Sequence, residues 1–195
     1  MDTTIAQKIT NTLSLMSGIL RNVPAGVKMS DADYEKVVVY SVAWAVGGLY
    51  EAAERFQFHD YLQSKNCPLP LNTKEKETIF DYYINIQDSK AEYLLVKPET
   101  WKPSPDKAFK FSQLLLPTLD SFRVDYLVNN IFNQPKPIHS TTAFIQNGVL
   151  LIGGSGTAKT SSVLMWAQKF DPAVKLFKRI NFSSATSPGL SQASI

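Results

Sequence analysis

The chain has 195 residues, with 20 Lys and Arg against 17 Asp and Glu, for a formal net charge of +3. Acids are interspersed among the lysines, so there is no basic stripe of the kind that tracks nucleic-acid phosphates. A 44% hydrophobic content is enough for a packed core, and Cys67, the only cysteine, excludes an internal disulfide and a cysteine-pair metal site. A single thiol also agrees with a reducing compartment. The start, Met1-Asp2-Thr3-Thr4, is polar and lacks the basic-then-apolar order of a signal peptide. No stretch is long and apolar enough to span a bilayer. The expectation is a soluble intracellular protein, or part of a large soluble assembly, with neither a membrane nor a nucleic-acid partner.

Ile5, Ile9, Leu13, Met16 and Leu20 recur at helical spacing and predict a helix over 5–20. Asn22-Val23-Pro24-Ala25-Gly26 interrupts it. Ser30, followed by Asp33, reads as a helix start, with Asp31 and Glu35 adding acid to the first turn. That helix is expected to run through Val37, Trp44, Leu49 and Ala53 to about Leu62. Gly47-Gly48 within it lowers helix stability and offers a place for another helix to approach closely. Cys67-Pro68-Leu69-Pro70-Leu71 is a non-helical connector, and the run from Thr73 to Glu77 is a charged, solvated face. Thr78 to Asp88 reads as a strand that pairs with Glu92 to Val96. The proline-rich run from Pro98 to Pro105 is a rigid loop anchored by Trp101. A helix from about Thr118 to Phe132 follows Pro117, and Pro135-Lys136-Pro137 ends it.

Val149-Leu150-Leu151-Ile152 then reads as a buried strand, and Ser161 to Ala167 as a helix. Between them lies Gly153-Gly154-Ser155-Gly156-Thr157-Ala158-Lys159-Thr160. A strand, a glycine-rich loop and a helix in that order form a phosphate cradle. Small residues let the backbone approach a polyphosphate, and loop amides together with the helix dipole supply positive potential. Lys159 is placed to reach the β- and γ-phosphates, and the Thr160 hydroxyl to reach a bound Mg²⁺. The usual pattern has glycine where this chain has Ala158. A methyl group is acceptable there if the residue has helical backbone angles, which its place at the helix start leads one to expect.

Asp171-Pro172 breaks the chain, Leu176 to Phe182 reads as a second strand, and the tail from Ser183 is rich in Ser, Thr, Pro and Gly. A P-loop ATPase needs an acidic group on a second apolar strand to hold Mg²⁺. Asp171 beside Pro172 reads instead as a turn residue. The acidic strand is therefore expected in sequence beyond this chain, as in a segment of a larger ATPase. His59, beside Asp60, and His139, in a loop, lack identifiable partners for metal or acid–base work and read as surface or partly packed residues. Cys67 reads as a small packed residue rather than a nucleophile. Tyr82, Tyr83, Trp101, Phe109 and Phe111 read as core and hairpin packing rather than base-stacking groups.

The run from Ile152 to Trp166, with its Gly-Gly-Ser-Gly-Thr-Ala-Lys-Thr loop, resembles the third AAA+ module of axonemal dynein heavy chains. Arg179 to Thr186 is similar to the strand and polar turn after that module's first helix, and Leu116 to Arg123 to the segment leading into it. Val42 to Leu49 resembles the helical lid of the second module. Phe80 to Tyr83 and Trp101-Lys102-Pro103 resemble the β-region between them. The resemblance implies an α/β fold, a truncated P-loop AAA+ core preceded by an α-helical lid over 1–65 and a connector with a small β-region over 66–112, the core occupying 113–195. It implies a regulatory site for ATP or ADP with Mg²⁺, and Leu116, Pro117 and Thr118 near the adenine. It also implies the remaining AAA+ modules of a ring, other dynein chains and microtubules as partners of the parent motor, in the axoneme of a cilium or flagellum. The competing expectation is a stand-alone helical interaction module with an idle phosphate loop.

Overall fold

The computed structural model describes residues 4–71, 77–97, 100, 115–132, 148–171 and 173–193. They form two compact units, 1–152 and 153–195.

In the first unit, α1 (Ile5–Leu20) begins at Thr4, whose hydroxyl accepts the Gln7 amide while the Gln7 side chain returns to the Thr4 amide. Only its second half is buried, through Leu15, Gly18 and Ile19. Ile5, Ile9 and Leu13 lie on the surface, so the expected apolar stripe covers the core for only part of its length. Helical spacing states which residues share a face. It does not state how far a neighbour extends along that face.

The second helical run is two helices, not one. α2 (Asp31–Gly47) starts at Ser30, and α3 (Ala52–Ser64) starts at Glu51, whose amide donates to the Glu54 carboxylate at 2.9 Å. α2 ends at Gly47, where aromatic rings leave no room for a side chain. An added Cβ would stand 2.6 Å from Phe80 Cζ and 3.3 Å from Phe58 Cδ1. The break is locked by Arg55, whose guanidinium donates to the Gly48 carbonyl at 3.0 Å and lies over the rings of Phe80 and Trp44.

A 3-10 turn, Ile79–Asp81, leads into the hairpin of β1 (Tyr82–Gln87) and β2 (Lys90–Leu95), antiparallel with Tyr82 opposite Leu95 and Gln87 opposite Lys90. Its two-residue turn, Asp88-Ser89, has positive φ at both positions (48° and 65°), the twist that a tight hairpin requires. The expected strand pairing thus holds, shortened at its start by the 3-10 turn.

A lone hairpin is marginal in water, and here helices cover both its face and its edges. Tyr40 of α2, 1% exposed, packs its ring against Tyr93 of β2 and Tyr126 of α4 (Leu119–Phe132). On the β2 edge, the buried Ala91 gives its amide to Asp33 Oδ1 (3.2 Å) and its carbonyl to Lys36 Nζ (2.9 Å). The Ser30 hydroxyl, then Lys36 and the Ala91 amide, hold the Asp33 carboxyl below its ordinary value against the opposing effect of burial. On the β1 edge, the Tyr126 hydroxyl donates to the Ile84 carbonyl at 2.7 Å. Arg123 fixes α4 to the 3-10 turn by donating to the Phe80 carbonyl and pairing with Asp81. α4 begins where Thr118 and Ser121 exchange hydrogen bonds, the Ser121 hydroxyl accepting the Thr118 amide at 2.7 Å.

α1 and α4 meet backbone to backbone. A Cβ on Gly18 would stand 1.8 Å from the Asn130 carbonyl oxygen. Gly18→Ala should therefore push the helices apart and destabilise the first unit by about 3 kcal/mol, read as a lowered urea midpoint in tryptophan fluorescence.

His59 is partly packed, as its sequence context suggested. Its Nδ1 accepts the Ile79 amide at 3.2 Å, tying α3 to the 3-10 turn. Burial lowers its pKa from the ordinary 6.5, opposed by Asp60 and Asp81. The unfolded chain therefore takes up the proton first as pH falls. This contribution is complete above pH 6.5 and is lost between 6.5 and the depressed folded value. Urea midpoints measured from pH 7.5 to 5 should fall less for His59→Gln than for the parent chain.

Candidate phosphate-binding loop

The second unit carries the glycine loop and α5 (Lys159–Ala167), followed by a short helix, α6 (Pro188–Ala193). Gly156 has φ +78°, a conformation open to glycine at no steric cost. The first hydrogen bond of α5 runs from the Ser162 amide to the Ala158 carbonyl at 2.9 Å. The amides of Lys159, Thr160 and Ser161 therefore precede the helical ladder, where the helix presents its positive end.

Ala158 departs from the expected helical angles. It lies in the left-handed region, φ +56° and ψ 18°, as the residue before α5. The reversal into the helix is made there, so the position demands what glycine supplies and alanine supplies under strain.

Lys159 reaches back across the loop. Its ammonium donates to the carbonyls of Gly153 (2.8 Å) and Gly154 (2.5 Å) and to the Thr157 hydroxyl (3.1 Å). Thr157 in turn donates to the Gly154 carbonyl at 3.0 Å. Gly154 and Gly156 have open space where a Cβ would stand. Thr160, in the first turn of α5, is exposed. An anion approaching the loop thus meets small residues, helix-end amides, the Lys159 ammonium held on the loop, and the exposed Thr160. This donor set suits a polyphosphate with Mg²⁺.

The flanking strands are corrected. Val149–Ile152 and Leu176–Phe182 run as irregular chain, with Leu150 79%, Leu176 92% and Phe182 70% exposed. A parallel strand is stabilised by neighbours on both edges and by cover on both faces, and no described residue pairs with either segment. Asp171 is the expected turn residue, its carboxylate accepting the Ala173 amide at 2.9 Å. Leu116, Pro117 and Thr118 fall in the first unit, Leu116 half exposed and Thr118 engaged as the cap of α4. His139, Trp101, Phe109 and Phe111 lie outside the described residues. Tyr83 packs on Phe122 and Tyr126, and Cys67 against the core. Among the described residues, no helix is long and apolar enough to cross a membrane, and no group of three or more His, Cys, Asp or Glu could hold a metal ion.

The described order is helices packed on a hairpin, then a glycine loop and helix of phosphate-binding type. Residues 1–94 match the dynein heavy chain AAA lid domain, and residues 103–195 match the P-loop containing dynein motor region. The chain belongs to the dynein heavy-chain family. It is 35% identical over 187 residues, 94% of its length, to the dynein gamma chain of the flagellar outer arm of Chlamydomonas reinhardtii. Against dynein axonemal heavy chain 5 of Mus musculus it is 32% identical over 193 residues, and against dynein axonemal heavy chain 8 of Homo sapiens 29% over 190, in each case 96% of its length. It spans about 4% of the length of these relatives.

The strained Ala158 gives a direct expectation. Ala158→Gly should relieve about 1 kcal/mol of backbone strain, and the Ser162 amide should then exchange with deuterium roughly fivefold more slowly.

Proposed function

We propose that Gly153–Thr160 binds the phosphates of ATP or ADP, with Lys159 on the β- and γ-phosphates and the Thr160 hydroxyl on Mg²⁺. The observation that carries this reading is the loop itself, an open glycine turn with Lys159 and Thr160 at the start of α5, inside a segment matching a P-loop motor region. Mg²⁺ would neutralise the phosphate oxygens, and Lys159 would orient them.

In this reading the helices before the hairpin serve as the lid of a second AAA+ module, and the glycine loop with its helix belongs to a third. The sequence-based expectation is a lid over 1–65, a connector over 66–112 and a P-loop core over 113–195. The match of residues 1–94 to a lid domain and the docking of the hairpin on α2 and α4 support a lid that takes in the hairpin as well. Leu116, Pro117 and Thr118 would approach the adenine from the segment leading into the third module. The site is regulatory. The parent is an axonemal microtubule motor in which further sequence of the same module supplies the acidic strand, the next module the arginine finger, and the remaining AAA+ modules the partner surfaces. Relatives named for flagellar and axonemal dyneins support that placement. The exposed apolar residues of 149–152 and 176–182 support a sheet completed by further chain.

Titration with a fluorescent ATP analogue and Mg²⁺ tests the reading. Saturable binding by the parent chain should fall at least about tenfold in Lys159→Ala. Equal signals from the two proteins would favour an idle loop on an interaction module.

A further inference from the structure

Lys159 has three N–H donors, and the loop supplies three oxygens for them: the carbonyls of Gly153 and Gly154 and the Thr157 hydroxyl. No donor is left for a phosphate. The arrangement depends on Thr157, which accepts from the ammonium while donating to the Gly154 carbonyl, so one hydroxyl ties the cation to the turn. It also depends on Gly153. A Cβ there would stand 2.8 Å from Thr157 Oγ1, so the missing side chain makes the space that the hydroxyl occupies.

We propose that Thr157 is a positioning residue that latches Lys159 across the loop, so that nucleotide binding must first release the lysine. This rests on the ATP reading given above, and it adds regulation to that site. An incoming triphosphate competes with the Thr157 hydroxyl and two carbonyls for the same ammonium. The latch therefore sets the rate of nucleotide entry, and it lies outside the helix that the nucleotide would approach.

The test uses the full chain with the parent residue, Thr157→Ala and Thr157→Ser. Without nucleotide, Lys159 is acetylated by an N-hydroxysuccinimide ester and its modification is followed by peptide mass spectrometry. The latch predicts labelling about three- to tenfold faster in Thr157→Ala, with Thr157→Ser returning to the parent rate because it restores the hydroxyl. Equal rates in all three proteins overturn the latch. A purely steric role of the threonine methyl would leave Thr157→Ser as fast as Thr157→Ala, which also overturns it. In stopped flow with a fluorescent ATP analogue and Mg²⁺, the association rate should rise by a similar factor in Thr157→Ala. An unchanged or slower association despite faster labelling overturns the gating role. Absence of nucleotide binding by the parent chain sinks the ATP reading and gating together, while the labelling rates still decide whether the lysine is latched.

Discussion

A two-stranded hairpin exposes two open edges, and the first unit is organised around closing them. α2 closes the β2 edge with side chains: Asp33 takes the Ala91 amide and Lys36 takes its carbonyl. Tyr126 of α4 closes the β1 edge at the Ile84 carbonyl. These side chains do what a neighbouring strand would do in a larger sheet, satisfying backbone groups that would otherwise be buried without partners. The same contacts orient the helices. α2 must present Asp33 and Lys36 one turn apart toward β2, and α4 must present Arg123 and Tyr126 toward the 3-10 turn and β1. Tyr40 fills the space between.

The second unit follows a different logic. Its loop is held by polar contacts at the surface, and its apolar segments lie open to solvent. Little of its geometry is imposed by packing. Charge and backbone conformation therefore decide the shape of the loop: an ammonium gathers two carbonyls, Gly156 turns the chain at positive φ, and Ala158 turns it again at a cost that glycine would avoid.

Much of this was legible in the residues. The α1 and α4 spans, the hairpin and the glycine loop all follow from apolar spacing, turn chemistry and one motif. The break between α2 and α3 was not, because the second helix is capped by Glu51 rather than by a residue from the usual capping set, and apolar spacing continues through it. Gly47-Gly48 carried the signal but was read as a place for another helix to pack, whereas the side chains of Phe80, Tyr50 and Phe58 crowd Gly47 and the helix ends there. The left-handed Ala158 was missed because a motif specifies residue types without assigning backbone angles. Gly18 could have been noticed as the smallest residue on an apolar face. The strand expectation for 149–152 and 176–182 rests on β-prone residue types, but a parallel ladder is a property of several strands together and cannot be read from one.

The meeting of Gly18 with the Asn130 carbonyl has a mechanical consequence. Where side chains separate two helices, rotamer changes absorb small displacements, as a cushion does. Here main chain rests on main chain, and there is nothing soft between them. A tilt of α4 therefore shifts α1 by nearly the same amount, carrying Ile5, Ile9 and Leu13 with it. Arg123 ties the start of α4 to the 3-10 turn, so the Gly18 contact joins an anchored helix to one that carries an exposed apolar surface.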